Sequence, residues 1–561
     1  MKSIQGCLSL LLLLPAVGAQ AQQAITSEQC AKAGSIQISP NQIGEPVSAV
    51  VIDSARWQEG AQGAPAHCLI NGRIDPVDTS ATARPIQFGV ALPASWNGRA
   101  VQLGGGGMNG SIPALAGRGP RSELAQGYAT YGSDSGHGMR EEEWLLNDEA
   151  IKNLGYMQMK KTHDAAMRLI GSVYGKQPDF NYYVGGSQGG REALTVAQRY
   201  PADYDGVLST VPIVGFSSLM LAPSRTRIVE KPLARWVPPT KGAAVLAEFM
   251  RQCDNRDGLN DGVINNYQAC RAIFNVRDKV GPADPWAARR CPGDVDPNPS
   301  DSTANACLTS GQIETLNFVF SDFSPGIALA NGRNTFGMWA PTTAVGSASP
   351  MGGLFTGNRY RGQEGAAEDA PIFATLGTNG VYGLFMQDLR GNPLDFNERE
   401  HGARYRQLSP WLDATQADLG AFSARGGKLI VIVGTDDTIA SSGEQLNYYQ
   451  TVIDAMGQGA VDAFARLYVL PQTGHGLSGR AAGIDGAGKT VEPSNIPNQV
   501  DRFALLTAWV EHNQPPARAV TVSSGNATLP MCSYPEYPHY HGGDVSDSSS
   551  YTCTKPDLSK L

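Results

Sequence analysis

Phe180-Asn181-Tyr182-Tyr183-Val184-Gly185-Gly186-Ser187-Gln188-Gly189-Gly190-Arg191 is the stretch that decides the fold. A strand-like aromatic run ends in G-x-S-x-G, and a helix-like run from Arg191 to Tyr200 follows. Strand, tight glycine turn and helix are the context of a nucleophile elbow. The turn is too sharp for side chains at its glycine positions and pushes the serine hydroxyl out at the C-terminal edge of a sheet. A bare G-x-S-x-G match is a weak signal; the flanking pattern makes Ser187 the candidate nucleophile and α/β the expected fold class.

Other segments fit the same sheet. Ile86 to Leu92, Ala100 to Leu103, Leu429 to Val433 and Arg466 to Leu470 read as strands, the third as a continuous apolar run suited to burial on both faces. Helical periodicity runs through Ile151 to Tyr174 and again through Gln499 to Glu511. Between about Pro212 and Leu419 strand–helix alternation fades into glycine, proline and polar runs. A structureless loop of that length is improbable, so a lid domain inserted in the hydrolase core is expected. The expected division is a signal segment over 1–21, core over 22–213, lid over 214–420 and core again over 421–561.

The chain of 561 residues carries 44 Lys and Arg against 52 Asp and Glu, a net charge of −8, with no basic stripe. That argues against nucleic acid as a partner. Lys2, the apolar stretch Leu8 to Leu14 and Ala19-Gln20-Ala21 read as a secretory signal with a small-residue cleavage site. The stretch is too short for a membrane anchor, and a secreted or periplasmic location is expected. Eight cysteines follow it: Cys30, Cys68, Cys253, Cys270, Cys291, Cys307, Cys532 and Cys553. An even number in an exported chain suggests disulfides, and the simplest of many pairings joins sequence neighbours.

A serine nucleophile needs a base, and the base an orienting carboxylate, in the chain order Ser, Asp/Glu, His for this fold. The strand ending at Leu470 leads into Pro471-Gln472-Thr473-Gly474-His475-Gly476, where His475 between glycines can turn toward Ser187. The strand ending at Val433 leads into Gly434-Thr435-Asp436-Asp437-Thr438, and the residues alone do not separate Asp436 from Asp437 as the acid. The oxyanion needs two N–H donors: Gln188, after the nucleophile, and one from Gly104-Gly105-Gly106-Gly107 after an early strand.

A second motif is Cys253-Asp254-Asn255-Arg256-Asp257-Gly258-Leu259-Asn260-Asp261-Gly262-Val263-Ile264. Three carboxylates at short spacing repel unless a cation neutralises them, and hard oxygen donors favour Ca2+. Asp254, Asp257 and Asp261 would give side-chain oxygens, and Leu259 and Val263 carbonyls, in a register unlike the EF-hand. Serine chemistry needs no metal, so the ion is expected to be structural, and its removal to lower the melting temperature more than the rate.

Together these motifs resemble the tannase/feruloyl esterase family, which includes the enzyme that hydrolyses mono(2-hydroxyethyl) terephthalate. The resemblance rests on Gly104 to Gly110, Gly132-Ser133-Asp134-Ser135-Gly136-His137, Gly185 to Arg191, Gln198 to Gly206, the Cys253-to-Cys270 loop and Gly474-His475-Gly476. It implies an α/β-hydrolase fold, a calcium-bearing lid and esters of gallate, ferulate or terephthalate type as substrates. It implies Ser187, Asp437 and His475 as nucleophile, acid and base, Gln188 with Gly106 or Gly107 as oxyanion donors, and the neighbouring disulfide pairing. One departure stands out: many members carry cysteines where this chain has Gly186 and Gly476, and a bridge there joins the serine and histidine loops. Without it, freer loops and a wider substrate range are expected.

The acyl group is expected to meet lid residues among Phe318, Phe323, Phe336, Trp339, Phe355, Arg359, Tyr360, Arg361 and Phe385. The competing readings are a serine peptidase or lipase with the same residues, and a catalytically silent calcium-dependent binding protein. The residues do not set oligomeric state.

Overall fold

The structure is a computed structural model that describes residues 23–61, 63–343, 345, 359–370 and 380–561. The expected signal segment and Phe355 lie outside the described residues.

An eleven-stranded sheet organises the molecule. Its strands are β1 (Ala49–Gln58), β2 (His67–Asp75), β3 (Ile86–Pro93), β4 (Arg99–Leu103), β5 (Ala129–Ser133), β6 (Phe180–Gly186), β7 (Gly206–Thr210), β8 (Lys428–Gly434), β9 (Ala465–Leu470), β10 (Ala519–Ser524) and β11 (Ala527–Ser533). In space they run β10-β11-β9-β8-β7-β6-β4-β5-β3-β2-β1. The middle, from β9 to β5, is parallel; both flanks are antiparallel.

Strand side chains alternate between faces, so a strand buried on both faces is apolar at every position. Along β8, Leu429, Val431 and Val433 enter one core, and Ile430 and Ile432 enter the core on the opposite face. Neighbouring β9 repeats this, with Leu467 and Val469 on the first side and Tyr468 and Leu470 on the second. In β6, Tyr183 and Tyr182 divide in the same way. Helix α1 (Gln158–Tyr174) covers one face and follows a π-helical turn, Asn153–Met157. Helix α2 (Gln188–Arg199) springs directly from the end of β6.

Between Thr210, the end of β7, and Lys428, the start of β8, the described residues contain helices and loops but no strand of the sheet. They include α3 (Phe216–Val229), α4 (Gly242–Cys253), α5 (Tyr267–Phe274), α6 (Ser310–Val319) and α7 (Glu398–Leu412). Edge-to-face aromatic packing centres on Phe249, whose ring lies 4.7 Å from Phe274 and 5.0 Å from Phe320. This core is continuous with Trp144, Leu145, Ile151 and Leu154 beside the sheet, so the insertion is fused to the body rather than hung from it.

Four disulfides join Cys30–Cys68, Cys253–Cys270, Cys291–Cys307 and Cys532–Cys553, the pairing of sequence neighbours. The two in the insertion close loops of 17 and 16 residues. Each is worth about 3 kcal/mol in the chain-entropy account. In the C-terminal part of the chain, residues 525–561, β11 pairs with β9 and extends the sheet.

Candidate active site

Parallel β6, β8 and β9 end on the same edge of the sheet, and the three loops that leave them carry Ser187, Asp437 and His475. Ser187 adopts φ 60° and ψ −121°, a left-handed conformation that is strained for a residue with a side chain. Its neighbours make the turn possible. A Cβ at Gly185 would lie 2.2 Å from the Gly189 carbonyl oxygen, and one at Gly189 would lie 2.7 Å from that of Gly105. The Ser187 N–H donates to Thr210 O at 2.9 Å, which ties the turn to β7.

His475 Nε2 lies 2.8 Å from Ser187 Oγ, and Nδ1 lies 2.8 Å from Asp437 Oδ2. A carboxylate accepts only, so Nδ1 carries the proton and Nε2 presents its lone pair to the serine hydroxyl. The other oxygen of buried Asp437 accepts from the N–H groups of Ile439 and Ala440, both at 2.9 Å, and this fixes the carboxylate plane. Asp436 turns away. Its Oδ2 accepts from the Thr343 backbone at 3.1 Å and from the Thr343 hydroxyl, and burial pushes its pKa up to about 6. The pair that the residues left undivided is thus divided by position: Asp437 meets the imidazole and Asp436 meets the insertion.

The glycine loop after β4 lies against the elbow. Gly104 N–H donates to Val184 O at 2.9 Å, and Gly189 N–H to Gly105 O at 3.0 Å. A Cβ at Gly106 would meet nothing within 4 Å, so the loop opens to free space there. Among the described residues no partner is recorded for the N–H of Gly106 or Gly107. Gln188 is the first residue of α2, where an N–H has no intrahelical acceptor. These are the groups expected as oxyanion donors.

Gly132 to His137 props this loop from behind. Asp134 Oδ1 accepts from Gln87 N–H at 2.9 Å and Gly136 N–H at 2.8 Å, and burial pushes its pKa up to about 7. His137 stacks on Trp144 at 3.9 Å and donates from Nε2 to Met108 O at 2.8 Å. Burial pushes its pKa down to about 4, so it is neutral. A cavity of about 440 Å3 opens beside the loop, lined in part by Gly106, Gly107, Met108, His137 and Met139.

Two residues here have roles that the sequence did not indicate, although Arg191 belongs to the motif that carries the resemblance. Arg191 is wholly buried; its Nε donates to Gln188 Oε1 at 2.9 Å and its Nη atoms to the carbonyls of Leu154 and Gly155, both at 2.7 Å, and Leu412 at 3.1 Å. It thereby pins the elbow helix to the π-helical turn and to the end of α7. Buried Glu192 receives hydrogen bonds from Gly105, Asn109, Gln158 and Tyr183.

The acidic loop runs beside the histidine loop. Asp254 and Asp257 are fully buried. Burial, with its neighbours' charges, holds Asp257 well above the usual carboxylate range; burial raises Asp254 and pushes Asp261 up to about 6. Asp254 accepts from the N–H groups of Gly262, Val263 and Gly486, and Asp257 from Leu259 and Asn265. Among the described residues these three carboxylates form no ion pair with a cationic side chain, and buried Asn265 Oδ1 has no partner.

The lid residues expected at the acyl group are largely lid core. Phe336, Trp339, Tyr360 and Phe385 are buried, Phe318 and Phe323 pack on each other at 5.5 Å, and Arg359 lies over Trp236. Arg361 is exposed. At the two places where a bridge was expected to be missing, Gly186 and Gly476 stand. The histidine loop is held instead by Gly474 N–H to Ser478 O at 3.0 Å and Asn498 Nδ2 to Leu477 O at 2.6 Å.

Residues 68–554 match the sequence profile of the family "Tannase and feruloyl esterase". The chain is 33% identical over 548 residues to an uncharacterized esterase of Agrobacterium fabrum, covering 93% of this chain and 92% of that one. It is 28% identical to the mono(2-hydroxyethyl) terephthalate hydrolase of Piscinibacter sakaiensis, covering 91% of this chain and 89% of that one. The crystal structure of feruloyl esterase B from Aspergillus oryzae superposes with a TM-score of 0.72 at 22% identity, over 94% of this chain and all of that one, which bears on the fold. An α/β-hydrolase sheet, a serine elbow and a profile match over most of the length lead to one assignment: the chain belongs to the tannase and feruloyl esterase family and is a carboxylic ester hydrolase.

Proposed function

We propose that the chain hydrolyses esters of aromatic acids through a covalent acyl-enzyme on Ser187. The observation that carries this reading is the hydrogen-bonded chain Asp437–His475–Ser187, with 2.8 Å at each link. His475 Nε2 takes the hydroxyl proton as Oγ bonds to the ester carbonyl carbon. The resulting oxyanion is held by the N–H of Gln188 and of Gly106 or Gly107. The intermediate collapses, the C–O bond to the alcohol breaks, and the proton on Nε2 passes to the leaving alkoxide. Water then attacks the acyl-enzyme, giving its proton to His475, and the acid leaves as Ser187 is reprotonated. The aromatic acyl class is taken from relatives named as feruloyl esterase and mono(2-hydroxyethyl) terephthalate hydrolase. Residues 214–420 act as the lid in this reading, and the leader-like start with four disulfides suits export.

The acidic loop suits a calcium ion. Two buried carboxylates and the half-buried Asp261, without a cationic neighbour, offer hard, anionic donors beside one unpartnered amide oxygen. Asp254, Asp257 and Asp261, with the carbonyls of Leu259 and Val263, would hold it, and the ion supplies charge neutralisation there.

The test is Ser187→Ala assayed on methyl gallate, methyl ferulate, mono(2-hydroxyethyl) terephthalate and p-nitrophenyl esters, with fluorophosphonate labelling of the wild type. Activity should fall by several orders of magnitude and the label should map to Ser187. Near-wild-type rates in the variant would overturn the reading.

A further inference from the structure

Glu192 lies five residues after Ser187 on α2, is fully buried, and takes no part in the proton path described above. Its carboxylate accepts four hydrogen bonds, all from neutral donors. Oε2 takes Gly105 N–H at 2.9 Å and the Tyr183 hydroxyl at 2.8 Å. Oε1 takes Gln158 Nε2 at 3.1 Å and Asn109 Nδ2.

Two of these donors bracket the open part of the glycine loop. Gly105 precedes Gly106 and Gly107, and Asn109 follows them. Asn109 sits at φ 62°, a conformation that glycine prefers, and its N–H closes the turn onto Gly106 O at 2.8 Å. The Asn109 side chain spends its amide on Glu192 and Ser135. Between these anchors Gly106 and Gly107 have no side chains to lock them, and Met108, packed on the core with its carbonyl held by His137, fixes only the far end, so the aim of the two glycines depends on what grips the residues around them. An ionised acceptor binds each donor more tightly than a neutral one would.

We propose that Glu192 is a positioning residue, which aims the N–H of Gly106 or Gly107 at the oxyanion formed on the ester of Ser187. This rests on the reading of Ser187 and of the glycine loop given above. A buried negative charge near a developing oxyanion opposes the reaction by itself, so the two roles of Glu192 have opposite signs. Glu192→Gln separates them. It removes the charge, and its amide turns donors toward groups that are themselves donors. If the charge is only a spectator, the variant is as fast as wild type or faster. If the fourfold acceptor is required, it is slower.

The experiment compares an aromatic ester with its thionoester, whose sulfur is a poor hydrogen-bond acceptor and draws little from an oxyanion hole. Glu192→Gln should lower kcat on the oxygen ester by about 100-fold with KM little changed, as misplacement by about 1 Å would. The thionoester rate should fall much less, so the oxygen-to-sulfur rate ratio collapses. Equal losses on both substrates, or no loss, would overturn the proposal. Should that variant not fold, Asn109→Gly keeps the backbone conformation and removes one anchor; the ratio should move the same way, and an unmoved ratio again overturns it. Ser187→Ala run beside them separates the two claims. Full activity there sinks the nucleophile reading itself, whereas an inactive Ser187→Ala with an unmoved ratio sinks only the role of Glu192.

Discussion

Gln472 reaches Gly262: its Nε2 donates to the Gly262 carbonyl at 2.8 Å. The same carboxamide accepts from Ile264 N–H at 2.9 Å, and beyond His475 the N–H of Ala482 donates to Gly262 O at 2.8 Å. The loop that carries His475 is thus laced to the acidic loop on both its flanks.

If the acidic loop holds the proposed calcium, its removal should therefore affect more than the lid. Dialysis against EGTA is expected to lower the melting temperature and also kcat measured well below it, because the histidine loop loses its support. This adds a rate loss of its own to the expectation, drawn from serine chemistry needing no metal, that removal lowers the melting temperature more than the rate. Calorimetry and initial rates on the same sample check it. An unchanged melting curve together with no calcium by metal analysis removes the site. Gln472→Ala should reproduce part of the rate loss, since leaving buried partners unpaired costs about 1–3 kcal/mol.

The two aspartates after β8 should respond very differently. Asp437→Asn is expected to lower kcat by about 10^4-fold, through loss of the productive imidazole tautomer. Asp436→Asn keeps the contact with Thr343 and is expected to stay within about tenfold of wild type, a margin of about 1.4 kcal/mol in the barrier. Steady-state kinetics of both variants decide it, and a larger loss for Asp436→Asn would reverse the assignment.

Asp436 also predicts a pH effect on stability. Burial raises its native pKa from 3.8 to about 6, so between those values the native state binds the proton more readily than the unfolded chain. Stability from this group is full below about pH 4 and declines as pH rises toward 6. Asp436→Asn should flatten that slope and leave the protein at least as stable at pH 7. Urea denaturation across this range measures it; an unchanged slope contradicts it.

A bridge engineered at the two glycines should need a second change. A Cβ at Gly186 would lie 2.8 Å from Thr210 Oγ1, while one at Gly476 would have Ser478 Oγ no nearer than 3.8 Å. Gly186→Cys alone is expected to lower the melting temperature, and Thr210→Ala added to it to recover much of the loss. If Gly186→Cys melts with wild type, Thr210 yields freely and the argument fails.

Legibility in the sequence followed burial. The run Leu429 to Val433 is apolar throughout because both faces of β8 are covered, and it reads as a strand at sight. Strands β1 and β2 carry Asp53, Arg56 and Arg73 on a half-exposed edge, and β5, though buried throughout, is the small and polar Ala-Thr-Tyr-Gly-Ser, so none of them announces itself. Ser187 and His475 were legible because a sharp turn and a glycine-flanked loop restrict composition locally. Arg191 and Glu192 were not, because their partners come from Leu154, Leu412, Gly105 and Asn109, far away along the chain. Asp436 and Asp437 differ only in which way each faces, and that is set by Thr343 in the insertion.

The pairing of β11 with β9 has a consequence for the timing of assembly. The strand that leads to His475 receives its outer neighbour from residues 527–533, which are made more than fifty residues later. During synthesis the elbow serine can be presented long before its imidazole has a settled support. The proton acceptor proposed for Ser187 therefore gains its full support only once that late segment is in place.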